Sequence, residues 1–172
     1  MILEKALVWF RRDLRDHDHA ALSAALAEAR QVYYAFVFDR NILEALPAKR
    51  DRRVHFIHES LVELDAALRA KGGGLIVRLG RAVDEIPQLA KILGVAAVFA
   101  NRDYEPSAKQ RDANVAATLH RAGIAFHACK DQAIFAGDEV LTQAGKPFSV
   151  FTPYKNAWLK RLTATDSATW PC

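Results

Sequence analysis

Three short clusters hold most of the residues able to do chemistry in this 172-residue chain. Arg11, Arg12 and Asp13 follow one apolar run, Asp39 and Arg40 follow Phe36 and Phe38, and Asn101, Arg102, Asp103 and Glu105 follow another. Guanidiniums and carboxylates beside aromatic surface suit a planar ligand with polar edges, such as a flavin or nucleotide: the face stacks while the edge takes hydrogen bonds from fixed groups. This is binding chemistry rather than bond breaking. No GxSxG elbow, P-loop or GxGxxG occurs, so no catalytic residue is assigned. His17 and His19 form an HxH, and His55 and His58 lie close in sequence, but neither pair has further ligands at metal spacing, and no metal site is expected.

Each charged residue also has an ordinary structural reading. Arg11 with Asp13, or Arg15 with Asp16, could simply tie down a loop, as most such pairs do. Asp103 and Glu105 precede a helix, where the dipole favours carboxylates with or without a ligand. Phe36 and Phe38 alternate with Val37 and so share one strand face, where core packing is their first role. The ligand reading rests on the convergence of three loops.

Convergence requires a scaffold. Ala6–Phe10, Gln31–Phe38, Leu75–Leu79, Ala96–Ala100 and Ile124–Cys129 read as five strands. Helical spacing fills the gaps: Leu22, Ala25, Leu26 and Ala29; Val54, Ile57, Leu61, Leu64 and Leu68; Ile86, Leu89, Ala90 and Leu93; then Ala108, Val115 and Leu119. Alternating helices with nearly continuous apolar strands predict an α/β parallel sheet covered on both faces. Asp18 is the expected N-cap of the first helix, and Gly72–Gly74 read as a helix stop and turn, since a phosphate cradle would follow a strand and open a helix. In such a sheet a ligand sits beyond the carboxyl ends of the strands where the winding reverses, the place to which the three clusters belong.

Composition narrows the class. Apolar residues make up 51% and charged residues 26%, near globular averages. The longest apolar stretches, such as Val95–Ala100, fall far short of the roughly 20 residues that cross a bilayer, and the start lacks a signal-peptide pattern, so no membrane partner and a cytoplasmic location are expected. Two cysteines, Cys129 and Cys172, suggest no disulfide framework. The net charge of +4 is spread out, with denser groups at Arg11–Arg15, Lys49–Arg53 and Lys155–Arg161 that read as solvated or ion-paired faces rather than a DNA surface. The expected organisation is an α/β core over residues 1–132, an extended part of the same domain over 133–162, and a linker from 163 to 172.

The stretch 8–22 resembles the opening of the DNA photolyase and cryptochrome family, whose pattern W-x-R-x-D-L-R-x-x-D is met by Trp9, Arg11, Asp13, Leu14, Arg15 and Asp18. Residues 36–39, 101–106, Arg111 with Asp112, and 148–160 are similar to further family segments in the family's order. The resemblance implies a Rossmann-like three-layer sandwich with strand order 3-2-1-4-5. It also implies an antenna-pigment domain of a light-dependent repair enzyme, a deoxyribodipyrimidine photolyase (a carbon-carbon lyase responding to blue light). FAD and damaged DNA would engage a helical C-terminal domain in cis, absent from this chain, which alone should not repair DNA. The implied pigment contacts are Arg11, Phe36, Phe38, Asp39, Arg53, Asp103 and Glu105. Folate-type members are similar to one another at an Asn-Glu pair where this chain has Ser107 and Ala108. The resemblance thus favours a flavin-type pigment, 8-hydroxy-5-deazaflavin or FMN, over methenyltetrahydrofolate. A signalling cryptochrome, and a stand-alone flavin or nucleotide module, are the alternatives.

Overall fold

In the computed structural model, which describes residues 2–47 and 51–172, the five apolar runs are the strands of one parallel sheet. They are β1 (Leu3–Phe10), β2 (Ala29–Asp39), β3 (Leu75–Gly80), β4 (Ala97–Asn101) and β5 (Ala125–Cys129), ordered β3-β2-β1-β4-β5. Around them lie α1 (Ala20–Glu28), α2 (Arg40–Leu43), α3 (Arg52–Ala70), α4 (Ala82–Leu93) and α5 (Pro106–Arg121), with α6 (Phe151–Arg161) beyond the sheet. Lys49 and Arg50 of the basic group noted above lie outside the described residues.

The central strand explains the three layers. Ala6 to Phe10 are all buried, because both faces of β1 are covered. Leu7 and Trp9 pack with Ile86, Leu89, Val115 and Leu119 of α4 and α5. Ala6, Val8 and Phe10 point the other way, against Leu22 and Ala25 of α1 and Leu61, Leu64 and Leu68 of α3. The winding reverses between β1 and β4, so the chain leaves a crevice over their carboxyl ends.

Local chemistry sets the element ends. Gly72 adopts φ +83, with Gly73 N–H bonded to Leu68 O at 2.9 Å and Gly72 N–H to Arg69 O at 3.0 Å. This is a Schellman stop, which a side chain at Gly72 would strain. α1 differs from expectation at both ends. Asp18 takes φ 45 rather than capping, and the N-cap is His19, whose Nδ1 accepts from Leu22 N–H at 3.0 Å. Leu26 is exposed and Ala29 opens β2, because α1 buries only Ala20, Ala21, Leu22 and Ala25.

Beyond Cys129 the chain runs without strands to α6, a helix that buries no residue fully. Thr163 and Asp166 then form a reciprocal capping box on a single 3-10 turn, Ala164–Ser167. The last residues return to the first loop: Trp170 N–H donates to Asp18 Oδ1 at 2.9 Å. No helix among the described residues is long and apolar enough to cross a membrane.

Candidate ligand site at the strand ends

Three consecutive residues leave β1 for three different tasks. Arg11 turns toward α5, with its Nη1 2.6 Å from Asp112 Oδ2 and its guanidinium 4.9 Å from the Trp9 ring centre. Arg111 reaches the same carboxylate at 2.9 Å and lies 5.0 Å from the same ring. Two cations sharing one carboxylate thus hold the indole of Trp9, itself 2% exposed, at the cavity wall. Arg12 points outward, 2.8 Å from Glu105 and 3.4 Å from Asp103. Its hydrogen bond to Glu105 outweighs partial burial and raises its pKa.

Asp13 does neither. It is buried, and it accepts from Arg11 N–H at 2.9 Å and from Asn101 Nδ2 at 2.6 Å, with His19 Nε2 at 2.9 Å. Because His19 Nδ1 accepts the Leu22 amide, the ring proton must sit on Nε2, where it donates to Asp13. Burial opposes ionisation of Asp13, but the bonds from His19 and from the Arg11 amide prevail and hold its pKa at about 2. Asn101 Oδ1 takes the Ala21 amide at 2.9 Å, and Asp131 Oδ1 the Ala20 amide at 3.0 Å. The first amides of α1 are therefore satisfied by acceptors from β4, the segment after β5 and His19. Arg15 belongs to this network through Asp131 at 2.8 Å, not through Asp16, which pairs with Lys71 at 3.0 Å.

Between β1, β2 and the start of α5 lies a cavity of about 600 Å³, within the range of small-molecule sites. Trp9, Phe36, Val37, Ile57 and Ala82 form its apolar walls, and Ile42, Ala45 and Leu46 of α2 and the turn after it close one side. Arg11, Arg12, Asp39, Asp103, Glu105 and Arg111 supply the charged rim, with Ser107 and Ala108 at the first turn of α5. Asp103 is buried and fixed by the Glu105 amide at 3.2 Å. Asp39 caps α2 through the Asn41 amide at 3.1 Å.

Five of the seven residues singled out from the sequence therefore face this cavity: Arg11, Phe36, Asp39, Asp103 and Glu105. Phe38 packs edge-on against Phe36, 5.0 Å between ring centres, outside the lining. Arg53 is turned to Asp51, the N-cap of α3, at 2.6 Å, and is also outside it. Arg40 is exposed, Arg102 bonds Ala128 O across to β5, and Asn101 is in the buried network. Sequence reasoning missed α2 and its apolar residues. The available signal was Asp39 followed by Ile42, Leu43 and Leu46, a capped short helix with one apolar side.

The family model described as DNA photolyase matches residues 6–171. The deoxyribodipyrimidine photo-lyase of Synechococcus is 36% identical over 163 residues, 95% of this chain and 34% of that protein. Cryptochrome DASH of Natronomonas pharaonis is 31% identical, across 98% of this chain and 36% of its own length. Among solved structures, an archaeal photolyase from Sulfolobus tokodaii is similar, with a TM-score of 0.74 and 31% identity, covering 88% of this chain and 34% of its own. That protein was described with two FAD molecules and the implication of a novel light-harvesting cofactor. The chain spans about a third of the length of these relatives. With its sheet order and its matched length both those of the N-terminal photolyase domain, the chain belongs to the DNA photolyase family.

Proposed function

We propose that this chain is the antenna domain of a light-dependent DNA-repair photolyase, and that the strand-end cavity holds a flavin-type pigment, 8-hydroxy-5-deazaflavin or FMN, in preference to methenyltetrahydrofolate. The observation that carries this reading is the pairing of apolar walls with a rim of both charge signs, built from the three loops that the sheet topology brings together. The residues present fit such a group. Trp9 and Phe36 offer aromatic surface to a planar ring system and keep water from it, while Asp39, Asp103 and Glu105 offer acceptors at its edge. Ser107 and Ala108, small residues at the cavity margin, leave space and lack the side chains that the folate reading calls for.

When bound, such a pigment supplies light absorption and excitation transfer to FAD in the remaining part of the full-length protein, where a cyclobutane pyrimidine dimer would be repaired. The role of the residues here is positional. Asp112 fixes Arg11 and Arg111, these fix Trp9, and the Arg12 bridge sets the spacing of Asp103 and Glu105. The helical FAD domain in cis and, through it, damaged DNA are the proposed partners. The cryptochrome relative supports a second reading, blue-light signalling, which repair assays on the full-length protein separate from the first.

The test is a titration of the chain with FMN, a deazaflavin and a folate pigment, followed by ligand fluorescence and thermal unfolding. Saturable flavin binding is expected, with about 2.7 kcal/mol of stabilisation at 100 times the dissociation constant, and loss of binding when Asp103→Ala and Glu105→Ala are combined. Failure of every flavin to bind, or tighter binding of the folate, overturns the pigment assignment.

A further inference from the structure

The charges around the cavity are matched unequally. Arg11 and Arg111 share Asp112, and Arg12 bridges Asp103 and Glu105. Among the described residues Asp39 has no cation within ion-pair distance, and four carboxylates there (Asp39, Asp103, Glu105 and Asp112) stand against three guanidiniums. Asp39 is also 6% exposed and lines the cavity, and its one donor among the described residues is the Asn41 amide, which reaches Oδ1. Its Oδ2 is not sealed away from solvent, since the Tyr104 hydroxyl is the buried side-chain atom left without a partner among the described residues. Oδ2 therefore keeps acceptor capacity that no donor among the described residues uses. The space onto which it opens is the cavity, so a ligand that displaces water there has to supply a donor in its place.

We infer that Asp39 selects the ligand by charge: it takes an N–H or O–H edge of an uncharged ring-and-polyol pigment and keeps an anionic phosphate out of the cavity. This rests on the pigment reading above and adds to it which flavins are accepted. Two features of the site point the same way. The guanidiniums that would attract a phosphate are already committed to carboxylates, two of them to the same one. A phosphate entering beside Asp39 would place two like charges in a partly desolvated space, where repulsion is stronger than in water. An imide N–H or a chain of hydroxyls meets the opposite situation, a charge-assisted hydrogen bond to an acceptor held in place by its own cap.

Riboflavin and FMN test this directly, since they carry the same ring and polyol and differ by one phosphate. Dissociation constants for both are measured by flavin fluorescence on the unaltered chain and on Asp39→Asn, which keeps the α2 cap because Asn and Asp cap equally well. Riboflavin is expected to bind the unaltered chain at least about tenfold more tightly than FMN. Asp39→Asn should weaken riboflavin roughly tenfold to a hundredfold and bring the two ligands close to equal affinity. Thermal unfolding of the ligand-free variant controls for misfolding, and Asp39→Ala, with the same loss of discrimination, provides a second variant. Equal or tighter binding of FMN by the unaltered chain overturns the inference while leaving the pigment reading intact. Unchanged affinities in Asp39→Asn do the same. If neither flavin binds the unaltered chain, the inference is overturned, and the deazaflavin arm of the titration above decides the pigment reading separately.

Discussion

Asp13 and Asp39 are both buried carboxylates at the ends of neighbouring strands, and their surroundings are opposite. Asp13 is met by His19, Asn101 and the Arg11 amide, and through them it is tied to the start of α1. Asp39 has one amide and an open cavity. The first arrangement is closed: every partner is protein, and its product is the docking of a helix. The second is built by the same fold but, among the described residues, has a single donor and faces the cavity. A sheet whose winding reverses thus yields two kinds of polar site within a few residues of β1, one that fixes the scaffold and one that can receive a ligand.

The comparison breaks most visibly at Asp13. Asp13→Ala leaves the His19 Nε2–H and the Asn101 amide without their acceptor in a buried position, and is expected to cost about 3 kcal/mol. For a domain of this size that is a fall in Tm of roughly 6–12 °C by thermal unfolding. Acid acts on the same residue more gently. The folded-state pKa of Asp13 is about 2, below its ordinary value of 3.8. Its contribution is therefore fully present above about pH 4 and is lost as the pH falls through about 2. The expected loss is about 2 kcal/mol, read as unfolding free energy against pH. In Asp13→Asn the slope over that window should shrink, though not to zero, because Asp51 and Asp65 are also held low by Arg53 and Arg69. An unchanged slope would mean that the network does not depend on the Asp13 charge.

The two regions were not equally legible in the sequence. The sheet was, because strands buried on both faces must be almost continuously apolar, and Leu7, Trp9, Val98 and Ala100 could be nothing else once helices flanked them. The cavity's polar side was legible in part, since residues just past a strand end have one place to go. What failed were matters of local competition. Asp18 is a better N-cap by type than His19, but His19 can cap α1 and reach Asp13 at once, and the tertiary bond decided it. Arg53 and Asp51 are two residues apart, and the near partner outcompeted a distant cavity. The apolar wall from α2 and the turn after it was missed because one helical turn is too short to show a period, which left only the Asp39 cap and a few apolar residues to mark it.

Arg12 gives the smallest expected effect and the sharpest contrast with Asp13, one residue away. Its side chain is 55% exposed, and it bridges Asp103 and Glu105 at the cavity mouth. An exposed ion pair adds little to stability, because water screens the attraction and ordering two long side chains costs entropy. Arg12→Ala should therefore change the unfolding free energy by less than about 0.5 kcal/mol, a Tm shift of roughly 2 °C or less. Binding should respond more than folding does. Without the guanidinium, Asp103 and Glu105 repel each other and lose their fixed spacing, so flavin affinity in the same titration is expected to fall a few-fold. A Tm loss as large as that of Asp13→Ala would place Arg12 in the scaffold, and the division between a closed and an open site at the end of β1 would no longer hold.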